Sequence, residues 1–438
     1  MARAGFFESD VTPPVGSFLA GFPNRSEGSR GIDDPLYLRV LALEDDAGAR
    51  VVLVTADLLK WPRDLSWRTK LWAETELGLP APALILNLSH THSAPGLFLQ
   101  RCYPHWPIDR EYICSLEQTI REGIAAALAD LQPTRVEHGL GEAHFGVSRR
   151  LPDPQTGVVT MRPNEDGYHD PDLPLFAFYR GDQLDAVLYS YACHPTSKNT
   201  LMISADWPGL VSRGLKDELG PGVMTHFAQG AGASVMPRVS QRDGDEQYAR
   251  YLRDVAGEIA GFVRSDAMRL IDLSLAAAER EFSIPYDTSK LPSREDLLLM
   301  SSPYDTEIPD RFRPANRSIV RLWARDLLEQ MRTETVPEAF RMHITRLRLS
   351  DDTARPLQVL AMSGEVTAEV GRAVKSLFAS ETVFLGYCGY TDAYIPTAEM
   401  LPQGGHEALG SMCFHERPAP FVPEIDEIIA REVQALEF

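Results

Sequence analysis

Five short, nearly unbroken apolar runs recur along the chain, and each stops at a polar or ionisable side chain. Val51–Ala56 ends at Asp57, and Ala83–Leu88 runs into Ser89-His90-Thr91-His92. Leu184–Cys193 ends at His194, and Leu357–Met362 ends at Ser363-Gly364-Glu365. Thr382–Leu385 leads into a Gly/Tyr segment from Gly386 to Tyr394. Runs of this length without alternation suit strands covered on both faces. Helical periodicity lies between them. Leu116, Ile120, Ile124, Leu128 and Leu131 share one helix face, as do Leu252, Val255, Ile259 and Val263, and Val366 to Phe378 follows Glu365. Strands alternating with helices predict an α/β fold, a mixed β-sheet core flanked by helices. No internal repeat, low-complexity tract or dividing linker stands out, so residues 1–438 read as one catalytic domain. The stretch from Tyr286 to Glu338 differs. It is rich in charge and proline and carries an amphipathic helix near Ile319, Leu322, Trp323, Leu327 and Met331. It reads as a helical insertion or lid at about 286–338, or equally as a helical connection packed on the domain.

Charge narrows the partners. Lys and Arg total 43 against 62 Asp and Glu, a formal charge of −19. That argues against a nucleic-acid backbone or an anionic membrane surface as partner and leaves room for a local basic pocket. No window approaches the roughly 18 continuous apolar residues of a membrane span. Met1 to Gly16 has charges and prolines but no apolar core, so no signal peptide is expected. Five cysteines, an odd count with no CxxC pair, argue against a disulfide framework and a zinc–thiolate site, and the expected compartment is cytoplasmic.

In open α/β sheets functional groups gather at the carboxyl ends of strands. Here that rule selects Asp57, His90, His92, His194, Glu365 and the tyrosines after Leu385. Imidazoles, a carboxylate and a phenol are the side chains of zinc chemistry. His90 and His92 share a face if the segment is extended, because side chains alternate along a strand. The plain alternative is a strand-end histidine bonded to backbone. His194 alone reads first as structural, and a helix dipole accounts for Glu365 without any metal. Tyr387, Tyr390 and Tyr394 read as ordinary aromatics. There is no HExxH, no GxSxG elbow and no phosphate loop. Gly230-Ala231-Gly232-Ala233-Ser234 lacks the Lys-Ser/Thr of one, and Val235 stands where a dinucleotide fingerprint needs its third glycine.

Taken in order, these segments resemble the neutral/alkaline non-lysosomal ceramidase family over nearly the whole chain. The resemblance runs from Asp10-Val11-Thr12-Pro13-Pro14-Val15-Gly16 and Ala20-Gly21-Phe22 through Gly31-Ile32-Asp33-Asp34-Pro35-Leu36-Tyr37. Its specific motifs are His90-Thr91-His92-Ser93-Ala94-Pro95-Gly96, His194-Pro195-Thr196-Ser197, Gly364-Glu365-Val366-Thr367 and Tyr394-Ile395-Pro396-Thr397. The resemblance implies zinc ligands at His90, His194, Glu365 and Tyr394, and places His92 beside the reacting water or oxyanion. It also implies an arginine on the reacting carbonyl, with Arg149 the best match and Arg150 its competitor. Two departures stand out. The family serine falls on Met236, with Ser234 two residues away, and the chain stops soon after Tyr394, without the immunoglobulin-like domain of the long ceramidases. Together with the absence of a signal peptide, they argue against ceramide itself.

The expected chemistry is therefore zinc-assisted hydrolysis of an amide in an N-acyl or related small molecule. An esterase or lactonase using the same hydroxide is the second reading, and a catalytically silent binding protein the third. Asp206, in Ile203-Ser204-Ala205-Asp206-Trp207, and Asp57 are candidates for the carboxylate that orients a ligand histidine. Each reads equally as a helix cap or a turn carboxylate.

Overall fold

The computed structural model describes residues 2–23, 25–97, 108–302 and 317–438. Three four-stranded units repeat one topology. In the first, β1 (Arg3–Asp10), β2 (Tyr37–Glu44) and β3 (Arg50–Ala56) pair antiparallel, and helix α1 (Arg63–Leu77) carries the chain to β4 (Leu84–Leu88), parallel to β3. Helix α2 (Arg110–Ala129) then covers β1 and β2.

The second unit begins with β5 (Arg135–Glu142). A hairpin of β6 (Gly146–Pro152) and β7 (Val159–Asn164) interrupts it, before β8 (Asp172–Arg180) and β9 (Gln183–Tyr191) complete its antiparallel part. Helix α3 (Asp206–Leu219) crosses over to β10 (Met224–Gln229), parallel to β9. Strand β11 (Val235–Pro237) joins β6, and α4 (Asp245–Val263) packs on α3.

In the third unit β12 (Ala276–Pro285) is followed by α5 (Arg294–Ser301) and α6 (Arg317–Arg332), then by β13 (Ala339–Ser350) and β14 (Leu357–Met362). Helix α7 (Ala368–Lys375) leads to β15 (Glu381–Leu385), parallel to β14, and α8 (Ile425–Gln434) ends the described secondary structure.

Each parallel pair thus arises from a βαβ crossover, and its strands carry the apolar runs read from the sequence. All six residues of β14 and all five of β4 are buried. The expected α/β class, a mixed sheet core flanked by helices, is what the structure has. The helix expected over Leu116–Leu131 is α2, started by Asp109, whose side chain accepts from the Tyr112 N–H. Side chains from all three units, among them Leu41, Val52, Phe176, Leu188, Val359 and Val383, line one apolar cavity of about 50 Å³.

The units are tied together at the ends of β4, β10 and β15. Asn87 Nδ2 donates to the Gln229 carbonyl (3.2 Å) and the Gly386 carbonyl (2.7 Å), while the Gln229 N–H donates to Asn87 Oδ1 (2.8 Å). Gln229 Nε2 in turn donates to the carbonyls of Ser89 (3.0 Å) and Cys193 (2.9 Å), so one buried amide holds the starts of both histidine loops. A Cβ at Gly386 would lie 2.8 Å from the Gly230 carbonyl oxygen, which is why the crossing needs glycine there. A second tie joins the second and third units. His138 of β5 donates to Glu381 of β15 (2.5 Å), and Arg269 reaches the same carboxylate at 3.0 Å.

Of the 286–338 stretch, α5 and α6 pack on each other and on Met412 and Cys413, and Trp323 Nε1 donates to the Arg417 carbonyl (2.9 Å). The insertion braces the segment that carries residues 406–417. Its residues 303–316 lie outside the described part.

Two outcomes follow. Asn87→Leu leaves the Gln229 N–H buried without a partner and the Gly386 carbonyl with only the weak Cys388 thiol donor (3.2 Å), so it lowers the unfolding free energy by about 1–3 kcal/mol in urea titration. Glu381 has its pKa held down to about 2 by the hydrogen bond from His138 and by Arg269, against the opposing effect of burial. Its folded value lies below the unfolded one, so its contribution is present above about pH 4.3 and is lost as pH falls toward 2. Glu381→Gln is therefore destabilising at neutral pH, and the gap to wild type narrows as the unfolding measurement moves from about pH 5 to about pH 3.

Candidate metal centre

The site lies where the second strand of each parallel pair, or the first, ends. His90 and His92 follow β4, His194 follows β9, and Glu365 follows β14. The His90-Thr91-His92 segment is not extended, contrary to the expectation from alternation. His90 has φ +66° and the chain turns at once, so the two imidazoles meet across a bend, ring centroids 5.2 Å apart. Glu365 and Tyr394 are brought together differently. Glu365–Val366 pairs in parallel register with Tyr394–Ile395, which places the carboxylate beside the phenol.

His90 and His194 are each oriented through Nδ1. That of His90 donates to the Leu59 carbonyl (2.7 Å), and that of His194 lies 3.2 Å from the Tyr387 hydroxyl. Their Nε2 atoms are left facing the cluster, 3.2 and 3.8 Å from Glu365 Oε2. His92 Nε2 lies 3.1 Å from His194 Nε2. Nitrogens of His90, His92 and His194 all fall within 4.8 Å of one another. Burial, reinforced by neighbouring cationic groups, pushes the His92 and His194 pKa values well below the ordinary imidazole range, so both rings present lone pairs. Burial alone would raise the Glu365 pKa, but His90 and His415 outweigh it and keep the side chain a carboxylate. Its Oε2 is buried without a hydrogen bond. Imidazole nitrogens around an unsatisfied carboxylate oxygen form a donor set for a divalent cation such as zinc, and the residues fit one. The cluster can hold a metal ion.

Around it stands a second ring of side chains. Arg149, on β6, donates from Nη2 to the Tyr394 hydroxyl (3.2 Å) and from Nε to Glu407 (2.9 Å). Burial works against the Arg149 charge, but Tyr394 and Glu407 overcome it and raise its pKa. Arg150 binds the other oxygen of Glu407 (2.6 Å) and also Gln403, which turns it away from the pocket. Of the two arginines, Arg149 lines the pocket and Arg150 does not.

Three further expectations meet different surroundings. The Asp206 carboxylate accepts from the backbone N–H groups of Ser197 (3.3 Å) and Lys198 (3.0 Å), so it holds the loop after His194 rather than an imidazole. Asp57 is paired with Arg39 (3.3 Å) and the Tyr37 N–H (2.9 Å), away from the cluster. Ser234 accepts from the Ala368 N–H (3.0 Å) and donates to Glu369 (2.7 Å), anchoring the start of α7, while Met236 lines the pocket.

Sequence reasoning missed His406, Glu407 and His415. They come from a π-helical turn, His406–Gly410, and the bend after it, where no strand-end rule applies. His415 lies 3.4 Å from Glu365 Oε1, and the His406 ring is T-shaped against Tyr394 at 5.0 Å. It also missed the backbone. His90 (φ +66°), Asp206 (+58°) and Tyr387 (+53°) are non-glycine residues in the left-handed region, gathered at this centre. Gly21, at φ +97°, lies against His92, where a Cβ would be 2.5 Å from the ring.

His90→Ala should leave the protein folded by circular dichroism and remove most bound metal in elemental analysis. Retention of a full equivalent would refute its place in the donor set. Gly21→Ala drives a methyl into the His92 ring and forces both apart, so it should perturb the His92 imidazole resonances in NMR while bound metal changes much less.

No family model matches the sequence, and no curated protein matches it. Solved structures do. Neutral ceramidase from Pseudomonas aeruginosa superposes with a TM-score of 0.71 at 20% identity, covering 99% of this chain and 73% of that one. A ceramidase complexed with C2 also gives 0.71, at 19% identity, covering 99% of this chain and 74% of that one. The chain thus shares the fold of neutral ceramidase.

Proposed function

We propose that the chain belongs to the neutral ceramidase family and is a zinc-dependent hydrolase, cleaving an amide bond of an N-acyl or related small molecule with water. The observation that carries this reading is the convergence of three imidazoles on one another, with His90 and His194 facing a buried carboxylate oxygen that has no hydrogen bond. The ceramidase fold over 99% of the chain supports it. In this reading His90, His194, Glu365 and Tyr394 hold the ion, and His92 and Arg149 face the reacting carbonyl. A zinc ion in that donor set supplies Lewis acidity, drawing the pKa of water down to about 7 and polarising a carbonyl.

The chain's own residues do the rest. Arg149 is held in place by Glu407, so its guanidinium donates to the carbonyl oxygen as negative charge builds there, at no cost in reorganisation. His92, neutral before reaction, takes a proton at Nε2 and passes it to the leaving nitrogen. Asp206 is a positioning residue that fixes the backbone after His194. Leu59 and Tyr387 set the imidazole orientations. No helix among the described residues is long and apolar enough to cross a membrane. The free thiols Cys114, Cys193, Cys388 and Cys413 suit the reducing cytoplasm, where this reading places the protein.

The test is hydrolysis of matched acyl amides and acyl esters by metal-loaded and chelator-treated protein. Amide cleavage should vanish on chelation and return with zinc. Activity indifferent to chelation sinks the zinc reading, and turnover confined to esters sinks the amide reading. Arg149→Met should lower kcat about a hundred-fold or more while KM changes little.

A further inference from the structure

The pocket above the metal centre, about 470 Å³, has a charge pattern opposite to that of the protein. Acidic residues outnumber basic ones 62 to 43 over the chain, yet Glu365, committed to the centre, is the one carboxylate among the described residues that line this pocket. Lys60, Arg149 and Arg242 line it as well. Two of these cations are already neutralised, Lys60 by Asp392 at 2.6 Å and Arg149 by Glu407 at 2.9 Å. Arg242 is different. It is exposed at the rim and makes no ion pair with any described residue. The neighbouring carboxylate, Asp243, is turned away to the Ser240 N–H (2.8 Å) and hydroxyl (3.1 Å).

Arg242 is also placed by the fold. Its turn, Gln241–Asp243, is bound to the loop after His194 through the Gln241 N–H and the Ser197 carbonyl (3.0 Å). That bond puts the exposed amide of Asn199 on the same rim. Other parts of the lining are apolar. Phe22, Met236 and Phe414 line the pocket, and Met161 joins them although it is 49% exposed on a hairpin strand. A free guanidinium and an amide on the same rim recognise anionic oxygens, and the apolar lining takes a hydrocarbon.

We propose that the substrate is an anionic acyl amide, whose carboxylate is received by Arg242 and Asn199 and whose hydrocarbon lies against Phe22, Met161, Met236 and Phe414. This deepens the amidohydrolase reading and rests on it. For N-octanoylglycine the water oxygen forms the new C–O bond and the amide C–N bond breaks. The nitrogen gains the protons that water gives up, and the products are octanoate and glycine.

The experiment compares three probes on the zinc-loaded protein: N-octanoylglycine, its uncharged glycinamide, and suberic acid mono-N-methylamide, which carries the carboxylate on the acyl side. One or both acids should exceed the glycinamide in kcat/KM by about ten-fold, the size of one charge-assisted hydrogen bond, and which acid does so tells which side of the scissile bond the anion occupies. Arg242→Ala should lose that preference through KM, Arg242→Lys should recover part of it, and added salt should weaken it. Equal rates for acids and glycinamide, or a preference that survives Arg242→Ala, overturns the proposal. Binding by calorimetry separates the two readings. If no probe is hydrolysed, the amidohydrolase reading fails, and the anion proposal then stands or falls on whether the acids bind more tightly than the glycinamide in an Arg242-dependent way.

Discussion

The buried Asn87–Gln229 pair is the contact on which the rest of the architecture depends. Three β-units that could each bury an apolar face separately are joined where their parallel strands end, and the joint is made of side-chain amides bonded to backbone. An amide offers donors and an acceptor at once, so it satisfies strand-end groups from different sheets that no ladder reaches. The same joint holds the carbonyls of Ser89 and Cys193, each one residue before a histidine of the centre. Fold integrity and imidazole placement thus share their hydrogen bonds.

Much of the fold was legible because the central strands are short and apolar on both faces. Such runs need no alternation to be recognised, and their boundaries fell within a residue or two of the strands. The threefold recurrence was not legible. It exists in hydrogen-bond topology alone, as three antiparallel strands followed by a crossover and a parallel strand. The units share no sequence period, because insertions of different length, the β6–β7 hairpin in one and α5–α6 in another, separate their parts.

The site divides along the same line. His90, His92, His194 and Glu365 were visible because each follows a strand, where an α/β fold exposes side chains. His406, Glu407 and His415 follow no strand and enter through a π-helical turn braced by α5 and α6, so periodicity gives them no signal. Asp206 illustrates a different loss. A carboxylate near a histidine in sequence suggests a hydrogen bond to its ring, but backbone N–H groups of the intervening loop lie closer and claim it. The orientation of both imidazoles fell instead to a carbonyl and a phenol, groups that every chain contains and no motif advertises.

The left-handed backbone at His90 and Tyr387 has a consequence for how this centre can vary. At most such positions glycine relaxes the chain and is an easy substitution. Here that escape deletes the imidazole at one position and, at the other, the hydroxyl that steadies its neighbour's ring. Residues able to keep both the torsion and the chemistry are few, so substitution at this centre is tightly constrained. Variation is easier at the pocket wall, where Met236 and Arg242 carry no such backbone constraint.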